Sequence, residues 1–575
     1  MGFYEEFFEN AAGKNLNELL KLRTELSKKY KLKGLPNLIR LFSKANNEQR
    51  RNLKDIKIKP MRSLSGVTPI AIMTKPGKCP RQAKCIYCPG GLNSYFGNVP
   101  KSYTGNEPAS LRAKRNYYDA VLQIFNRLEN YVLLNHNIGK CDVIIMGGTF
   151  TNFPKKYKDE FVKNIYFAFN TFSELFFVNG EINFEKFYKF FELGMDFKSK
   201  ERIKKVKRNV KEAFLLKKKI FDKRKQLKKE QKKPFWKSLQ GKLKKEQKKN
   251  ENSNVRCIGL TIETRPDCCS LEKCNEMLEY GVTRVELGIQ SVYDSQLRKV
   301  KRGHLNKESI EAIKRLKNLG FKINLHYMPG LPGWNIKKDL LGLKKLFSDE
   351  RYKPDMLKIY PCLVMPGTPL YEDYKKGKFT PMRLNEAAEV ISEFKSDIPK
   401  YARIMRIQRD ISKGITDGVN RTNLRQYVSL LMKTKKIKCN CIRCREIKNE
   451  EIKNPEMNVL EYNASSGKEF FISVDANDKL IGFCRLRFVN ESLRKEINTD
   501  SGIIRELHVY GKSVKIGEKG EVQHHGFGKM LVKKAEEICL RNGKKKILVI
   551  SGIGVKGYYR KLGYKDDGVY MSKML

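Results

Sequence analysis

The sequence GKCPRQAKCIYCPGG, residues 77–91, holds three cysteines in a C-x5-C-x2-C array directly after an apolar segment typical of a strand. Because Cys79, Cys85 and Cys88 share one loop, their thiolates can converge on a single metal centre. Iron-sulfur clusters are normally held by four cysteines, so three would leave one iron free for a small chelating ligand. Zinc would need a fourth protein ligand, and the loop has no histidine. A chance grouping of cysteines is the third possibility.

Apolar segments like the one before this loop recur along the chain. Six short runs have the composition of buried strands, and segments with helical periodicity separate them. The runs are VTPIAIM from Val67, CDVIIM from Cys141, CIGLTIE from Cys257, TRVELGI from Thr283, FKINLHY from Phe321 and MLKIY from Met356. Strands that alternate with helices predict an α/β fold with a parallel sheet or a partial barrel.

The length, charge and cysteine content of the chain indicate its number of domains, its partner and its compartment. A chain of 575 residues exceeds what one hydrophobic core serves and predicts at least two domains. The formal net charge of +54 favours nucleic acid as a partner, although a general preference for lysine would give the same composition. No apolar run is long enough to span a membrane. Fourteen cysteines and no secretory leader indicate metal ligation in the reducing cytoplasm rather than disulfides.

Two basic regions lie outside the predicted strands. Residues 1–62 are predicted to form a basic, largely helical region with one apolar stripe. Residues from about 170 to 252 are predicted to be an insertion, because a short connection and one helix would suffice there. Within it, Lys217–Lys249 has sixteen basic and three acidic residues, a net charge of +13. This block is either a polyanion-binding arm or a solvated tract.

A separate α+β domain is predicted at residues 456–575, after a cysteine-containing linker at 436–455. Its strands are predicted at Glu469–Val474, Leu480–Phe488, Ile503–Val509 and Lys545–Ile550, and its helix at Gly526–Arg541. The segment Gln523–Lys529 opens this helix with two glycines, so backbone N–H groups can approach a phosphate at the positive helix end. An ordinary helix start that contains glycine would have the same sequence pattern.

The linker has a second group of cysteines with the spacing of metal ligands. Cys439, Cys441 and Cys444 in CNCIRC predict a structural zinc site, which needs one more ligand. We favour His508 for that place, because it lies on a strand of the neighbouring domain and would join the two. The alternative is that His508 is a histidine of the domain core.

The loop at 77–91 resembles that of the radical S-adenosylmethionine (SAM) enzymes. In that family a 4Fe-4S cluster with one open iron binds SAM and cleaves it to a 5′-deoxyadenosyl radical. Gly147 and Gly148, in the MGGT motif after the second predicted strand, resemble the glycines that bind SAM. The resemblance implies a partial (β/α)6 barrel over residues 63–435 with Cys79, Cys85 and Cys88 as cluster ligands. The gap between the first two cysteines is longer than in most of the superfamily.

The last domain resembles the acetyl-CoA-dependent N-acetyltransferases. The shared order is a strand, a glycine-rich turn, a helix, a strand and then the segment YYRKLGY. In that superfamily a tyrosine of the last segment lies beside the thioester sulfur, which implies catalytic roles for Tyr559 and Tyr558. A phenol can donate a proton to the leaving thiolate or hold the thioester. A packed aromatic pair is the alternative.

Both halves together resemble one family, the catalytic subunits of Elongator, which modify the wobble uridine of tRNA. The matching stretches are YCPGG, SYTGNEPASLRA, MGGTF, TIETRPD, VELGIQSVYD, RGH at 302–304, MPGLPG, KIYPCLV, QRDI, RELHVYG, HHGFG and SGIGVKGYYRKLGY. They run through nearly the whole chain from about residue 60, but the insertion at 170–252 has no counterpart among them.

This resemblance implies an acyltransferase that uses acetyl-CoA and SAM to modify carbon 5 of uridine 34, the first step toward carboxymethyluridine. It places the acetyl-CoA contacts at Lys140, Glu506, Leu507, His508, Val509, Phe527, Gly528, Lys529 and Tyr559. A uridine carbon is a poor nucleophile toward a thioester, and a radical on the acetyl methyl group offers another route. The implied partners are tRNA, bound in part by residues 1–62, and further Elongator-type subunits or a second copy of the chain.

Two other functions fit parts of the sequence. A protein lysine acetyltransferase, acting on a basic protein such as histone, would use the radical SAM domain only as a scaffold. The charge of +54 argues against it, because it repels lysine-rich tails and attracts phosphates. An RNA-binding scaffold without activity is the third function, and the intact cysteines and tyrosines count against it.

Overall fold

The computed structural model describes residues 2–53, 56–58, 65–195, 199–226, 235–411, 417–419, 423–447, 452, 454–510 and 526–575. The chain divides into two compact units. The first unit comprises residues 1–70, 119–142 and 159–257, and the second comprises 71–118, 143–158 and 258–575. The domain boundaries expected from the sequence, at 62, 435 and 455, stay predictions.

The N-terminal region is helical, as predicted. Its helices are α1 (Phe3–Glu9), α2 (Leu16–Lys29), α3 (Leu38–Lys44) and α4 (Asn47–Asn52). The Asn15 side chain caps α2 by accepting hydrogen bonds from two backbone N–H groups of its first turn. The apolar stripe of α2 faces inward, where Leu19 and Leu26 are buried in one cluster with Phe7 and Phe42. This packing leaves the α2 lysines exposed, namely Lys21, Lys28 and Lys29.

The next elements connect the first two predicted strands. They are β1 (Thr68–Met73), β2 (Gly91–Ser94), β3 (Gly97–Val99), α5 (Pro108–Arg115), α6 (Ala120–Leu133) and β4 (Lys140–Met146). Strands β2 and β3 form a small antiparallel hairpin. The hairpin begins three residues after Cys88, so the cysteine loop occupies the space between β1 and this hairpin.

The predicted insertion is built mainly of helices. Its elements are α7 (Lys155–Phe176), β5 (Phe177–Val178), β6 (Glu181–Ile182), α8 (Phe184–Phe190), α9 (Lys200–Gln226) and α10 (Phe235–Asn250). Asn250 closes this region by donating to Asn170 Oδ1 at 2.9 Å and accepting from the N–H of Cys257 at 2.8 Å. Residues 227–234, and the side chains from 215 to 241, lie outside the described part of the chain. The prediction for Lys217–Lys249 falls largely on them.

Strands and helices then alternate as predicted. The elements are β7 (Arg256–Thr264), α11 (Leu271–Glu279), β8 (Arg284–Gln290), α12 (Asp294–Lys299), α13 (Asn306–Asn318), β9 (Lys322–Tyr327), α14 (Ile336–Ser348), β10 (Met356–Ile359), α15 (Pro369–Lys375), α16 (Leu384–Phe394) and β11 (Arg403–Arg406). The sheet has the order β1-β4-β7-β8-β9-β10-β11, and each neighbouring pair from β7 to β11 is parallel.

The sheet has seven strands where the sequence predicts six. The six predicted strands are β1, β4, β7, β8, β9 and β10. The seventh, β11, is only four residues long and has arginine at both ends. A short segment with so few apolar residues carries no periodicity that separates a strand from a loop, so only its pairing with β10 reveals it.

Polar residues line one face of this parallel sheet. The register aligns Glu263, Glu286 and Asn324 across three strands, and His326 with Lys358 one step further along. The alternate residues, such as Val285, Leu325 and Leu357, are fully buried on the other face. Parallel sheets are normally apolar on both faces. A polar face therefore marks the side where a ligand would lie.

The last elements build a second sheet. They are α17 (Leu424–Thr434), α18 (Ile442–Arg445), β12 (Glu456–Ala464), β13 (Gly467–Ala476), β14 (Lys479–Phe488), β15 (Ser501–Val509), α19 (Phe527–Arg541), β16 (Lys546–Val549), α20 (Lys556–Arg560), β17 (Lys565–Asp567) and β18 (Tyr570–Met574). Their sheet has the order β12-β13-β14-β15-β16-β18-β17 and is antiparallel except between β15 and β16. The predicted strands and helix of this domain agree with these bounds to within two residues.

Within the described residues, none of the helices combines the length and the apolar content that crossing a lipid bilayer requires.

Candidate functional site

The cysteine loop is held against the turn that follows α12. The N–H of Lys84 donates to the carbonyl of Lys301 at 3.2 Å, and the N–H of Ile86 donates to the carbonyl of Val300 at 3.1 Å. Such backbone pairing on both sides fixes Cys85 more rigidly than side-chain packing alone. All three predicted cluster cysteines are half-buried, so one side of the loop stays open.

Two arginines surround the middle cysteine. Arg302 Nη1 lies 3.4 Å from Cys85 Sγ, and Arg265 Nη1 lies 3.8 Å from it. Burial raises the pKa of Cys85, but the charge and hydrogen bond of Arg302 outweigh burial and lower the pKa below its ordinary value. Burial raises the pKa of Cys79, which has no such contact. The site therefore favours a thiolate first at Cys85.

The three thiols fit a metal cluster better than one ion. The Sγ atoms of Cys79, Cys85 and Cys88 do not all lie within 4.8 Å of one another. Around a single zinc ion, thiolate sulfurs lie about 3.8 Å apart, since each Zn–S bond is about 2.3 Å. A four-iron cluster is larger and accepts the wider spacing. The donor set of three thiolates beside two arginines fits the cluster that the sequence predicts.

The predicted SAM-binding glycines lie at the end of β4. Gly147 and Gly148 have φ of 132° and 92°, a region that favours glycine. A Cβ on Gly147 would collide with the Thr74 hydroxyl, so only glycine fits. Thr149, the next residue, places its Oγ1 3.8 Å from Cys79 Sγ. The structure thus brings the glycine motif and the cysteine loop together.

Sequence reasoning missed a buried charge group next to these glycines. Glu263 accepts from the N–H of Gly147 at 3.3 Å and from the Tyr103 hydroxyl at 3.1 Å. Ligand atoms of Glu263, Glu286 and His326 lie within 4.8 Å of one another. The signal was present in TIET, VELGIQ and INLHY, where a polar residue recurs at every second position of a predicted buried strand.

Lys358 pairs with Glu286, a member of this buried charge group. Lys358 contacts Glu286, and His326 Nε2 lies 2.8 Å from the same carboxylate. Burial raises the pKa of Glu286, but Lys358 and His326 outweigh burial and hold it well below its ordinary value. A carboxylate already paired with an ammonium group is a weak ligand for a divalent cation. This part of the sheet is a polar lining for a ligand rather than a metal site.

The predicted acetyl-CoA contacts on β15 lie on an open strand edge. Strand β15 pairs with β16 from Ser501 to Ile504, whereas its pairing with β14 continues to Val509. A register shift in the pairing with β14 makes Arg505 a bulge, a residue with no opposite residue on β14. Beyond this bulge, Glu506, Leu507, His508 and Val509 are half-buried. Their backbone groups on the β16 side have no strand partner in the described register, so they can bind an extended ligand.

The start of α19 meets this edge. Gly526 precedes α19 with φ of 81°, and Phe527, Gly528 and Lys529 form its first turn. A Cβ on Gly528 would lie 2.8 Å from the Tyr558 hydroxyl and 3.9 Å from Val509 Cγ2. The predicted contacts Gly528 and Val509 therefore adjoin a predicted catalytic tyrosine. Gln523 and the histidines that follow it lie outside the described residues.

The two predicted catalytic tyrosines have different surroundings. Tyr558 is 40% exposed, whereas Tyr559 is 6% exposed and packs edge-on against Tyr558 and Tyr564. Burial raises the pKa of both phenols, and of Tyr559 far more than of Tyr558. Both therefore remain protonated and able to donate. The hydroxyl of Tyr558 adjoins Gly528 in the first turn of α19.

Lys140 lies at the start of β4, in the first unit. Burial and the charge of Arg256 lower its pKa below the ordinary value. Its role as an acetyl-CoA contact stays a prediction.

The linker cysteines come together, but without His508. The Sγ atoms of Cys439, Cys441 and Cys444 lie within 4.8 Å of one another, a spacing that suits one metal ion. Hydrogen bonds from Cys439 and Cys444 lower the pKa of Cys441. His508 is not part of this group. It lies beside the ring of Tyr510, with ring centroids 4.4 Å apart, and opposite Phe483 on β14. The predicted zinc ligation by His508 is therefore not seen, because its strand places it beside these rings, and its role as an acetyl-CoA contact stays a prediction.

Family descriptions match three parts of the chain. The Radical SAM superfamily matches residues 213–343, the Radical_SAM C-terminal domain matches residues 354–436, and the Acetyltransferase (GNAT) family matches residues 441–564. This order confirms the predicted fold class, a radical SAM partial barrel followed by an N-acetyltransferase domain.

Several proteins resemble the chain over nearly its whole length. A tRNA uridine(34) acetyltransferase of Methanocaldococcus infernus is 40% identical, over 99% of this chain and 97% of the relative. The Elongator complex protein 3 of Homo sapiens is 35% identical, over 98% of this chain and 94% of the relative. The solved structure of archaeal Methanocaldococcus infernus Elp3 with an N-terminal deletion has a TM-score of 0.68 at 36% identity, and covers 89% of this chain and 100% of that chain.

Proposed function

The chain belongs to the family that contains the tRNA uridine(34) acetyltransferases and Elongator complex protein 3, and from this membership we propose that it modifies carbon 5 of the wobble uridine of tRNA with acetyl-CoA. The product is the precursor of carboxymethyluridine. One observation carries the proposal. A single compact unit holds both the loop with Cys79, Cys85 and Cys88 and the cradle formed by Val509, Gly528 and Tyr558. A protein with only one of these sites would serve only one half of the reaction.

The residues of the first site would hold the cluster and orient SAM. Cys79, Cys85 and Cys88 would hold a 4Fe-4S cluster, which when bound supplies the electron for reductive cleavage of SAM. Arg302 and Arg265 lower the pKa of Cys85 and so favour its thiolate. Burial and Arg302 lower the pKa of His304 to about 3, so this histidine stays neutral beside the arginine. Gly147 and Gly148 leave room for the methionine part of SAM close to Thr149.

The residues of the second site hold the thioester. The backbone of Glu506–Val509 would bind the extended arm of acetyl-CoA, and the first turn of α19 would bind its pyrophosphate at the positive helix end. The Tyr558 hydroxyl lies where it can donate a proton to the thiolate of the leaving CoA. Tyr559 supports Tyr558 by ring packing and is the second candidate for this proton transfer.

Zinc is the metal that we propose for the linker. Cys439, Cys441 and Cys444 provide three sulfurs at the spacing of one ion, and Lys395 Nζ lies 3.8 Å from Cys444 Sγ. A structural zinc would fix residues 439–444 at the border between the two matched families. The fourth ligand of this zinc would come from a group other than His508, which lies beside Tyr510.

The partner follows from the charge and from the family. A net charge of +54 attracts tRNA and disfavours the lysine-rich tails that a histone acetyltransferase would bind. The N-terminal helices α1–α4 are the proposed tRNA-binding region. The relatives named Elongator complex protein 3 support association with further subunits, and a tRNA substrate supports a cytoplasmic location.

The decisive experiment measures the modified nucleoside directly. Purified protein with reconstituted iron is incubated without oxygen with acetyl-CoA, SAM, a reductant and an unmodified tRNA transcript, and the digested nucleosides are analysed by mass spectrometry. We expect a uridine that carries the two-carbon unit, and none in a matched transcript with cytidine at position 34. A histone-tail peptide is tested in parallel. Acetylation of the peptide without modification of tRNA would support the lysine acetyltransferase instead.

A further inference from the structure

A buried ionic network lies between the two matched families inside the second unit. Its members are the charged residues Lys317, Asp355, Glu469, Arg485, Arg487 and Arg505, whose side chains are each at most 1% exposed. Lys317 ends a helix of the radical SAM part, and Asp355 immediately precedes β10. The other four lie on β13, β14 and β15 of the acetyltransferase part. The network therefore joins the two parts through charge and not through apolar packing alone.

Asp355 is the centre of one half of this network. It accepts from Arg505 Nη1 and Nη2 at 2.7 Å each, and Arg485 Nη1 lies 3.6 Å from it. The same carboxylate accepts from the N–H of Ile323 at the start of β9, at 2.8 Å. Asp355 thus connects the N-terminal ends of β9 and β10 with Arg485 and Arg505 of the other sheet.

The two arginines reach the acetyl-CoA edge of β15. Arg485 Nε donates to Glu506 at 2.8 Å, and its Nη2 donates to the carbonyl of Tyr401 at 2.7 Å. The guanidinium of Arg485 also lies over the ring of Phe483, 5.1 Å from its centroid. Arg505 is the bulge residue itself, directly before Glu506. Any shift of Asp355 is therefore transmitted to the strand that is predicted to hold the thioester.

The other half of the network provides a comparison within the same interface. Glu469 accepts from Arg487 at 2.9 Å and lies 3.5 Å from Lys317 Nζ. Arg487 also donates to Asn318 at 2.9 Å. Glu469 is as deeply buried as Asp355 and bridges the same two parts, and its described partners do not include Glu506. Glu469 also lies 3.4 Å from Arg505 Nη2, so the two carboxylates share Arg505. Among the described contacts they differ in that Asp355, and not Glu469, contacts Arg485, whose Nε donates to Glu506.

Buried ion pairs contribute little net stability, because desolvation offsets their attraction, but removal of one partner leaves an uncompensated charge. Their directional bonds instead fix orientation. We propose that Asp355 is a positioning residue for acetyl-CoA, which acts through Arg485 to hold Glu506–Val509 in the register that binds the thioester. This inference rests on the proposed function, because it assumes that β15 binds acetyl-CoA.

The test compares the full-length variants Asp355→Asn and Glu469→Gln with the unaltered chain. A thioether analogue of acetyl-CoA, which cannot react, is titrated by calorimetry. Asp355→Asn should raise the Kd of the analogue by about tenfold or more, since loss of a buried hydrogen-bonded charge usually costs at least that factor. Glu469→Gln should lower the melting temperature by a similar amount but leave the Kd within about twofold. Reductive cleavage of SAM should be equal in all three proteins.

A second variant keeps the inference testable if Asp355→Asn does not fold. Arg485→Lys retains the positive charge but loses the Nε–H that binds Glu506, so it should also weaken the analogue without altering SAM cleavage. Equal Kd values in Asp355→Asn, Arg485→Lys and Glu469→Gln would overturn the inference and leave the network a structural one. Absence of analogue binding by the unaltered chain would instead overturn the proposed function, and the inference with it.

Discussion

Gly528 and Tyr558 meet so closely that a Cβ on the glycine would lie 2.8 Å from the tyrosine hydroxyl. The two residues are distant in sequence, and each comes from a different motif of the acetyltransferase half. At this point the first turn of α19 and Tyr558, the predicted proton donor, would both contact acetyl-CoA.

Replacement of Gly528 with alanine should disturb this approach. The added methyl group must displace the Tyr558 hydroxyl, so we expect the KM for acetyl-CoA to rise by roughly tenfold, the cost of a displaced polar contact. Gly557→Ala is the matched control, because a Cβ at that position meets no atom within 4 Å. Steady-state release of CoA in the presence of tRNA measures both variants. Equal KM values would show that the contact does not bear on acetyl-CoA.

The roles of Tyr558 and Tyr559 can be distinguished by removal of each hydroxyl in turn. Tyr558→Phe should lower the tRNA-stimulated rate of CoA release by roughly ten- to a thousandfold, with unchanged tRNA affinity, because it removes a proton donor but keeps the ring. Tyr559→Phe should have a smaller effect, since the buried ring of Tyr559 supports its neighbour by packing. The reverse order of the two effects would assign the proton transfer to Tyr559.

The cysteine loop should bind iron through all three thiolates. Anaerobic reconstitution should give about four irons per chain, and Cys79→Ala, Cys85→Ala or Cys88→Ala should abolish most of this iron and the cleavage of SAM. Cys268→Ala removes a buried thiol outside the loop and should retain both. Arg302→Met should weaken retention of the cluster, because the pKa of Cys85 rises without the arginine. Iron and electron paramagnetic resonance of the reduced protein measure these outcomes; full iron in the loop variants would refute the assignment.

Zinc in the linker should be independent of the iron. After iron is removed, metal analysis should find about one zinc per chain, which Cys441→Ala should lose. His508→Ala distinguishes the candidate fourth ligand. Because His508 lies beside Tyr510 and outside the cysteine group, we expect its variant to keep zinc and to bind acetyl-CoA more weakly. Loss of zinc in His508→Ala would restore the histidine as a ligand.

The buried Lys317 should make stability depend on pH. Burial lowers its pKa from 10.5 to about 8, so the unfolded chain binds one more proton than the folded chain between these values. The free energy of unfolding should therefore rise with pH from about 8 to 10.5, relative to Lys317→Met, by an amount on the order of 3 kcal/mol. Urea unfolding of both proteins across this range tests the sign. A constant difference between them would mean that Lys317 keeps its ordinary pKa.

Much of the fold follows from local patterns in the sequence. The runs VTPIAIM and TRVELGI predict strands because β-branched residues recur between segments of helical period, and both lie in the sheet as β1 and β8. The cysteine spacing and the glycines at 147 and 148 predict the first site because those residue types serve few other purposes at such spacing. Each of these signals is contained in fewer than about twenty residues.

Other features depend on residues that are far apart in sequence. Strand β11 is recognised only through its pairing with β10, and the separation of His508 from the cysteine group depends on how β15 packs. Glu286 and Lys358 contact each other across 72 positions, and Asp355 and Arg505 across 150. Residue type and spacing alone thus determined most strands and their order along the chain, and the resemblance of the motifs predicted the two chemistries. Which charges meet, which tyrosine faces the cradle and how the acetyl-CoA edge is fixed were decided only by the tertiary structure, because desolvated charges select partners by position in space and not by distance along the chain.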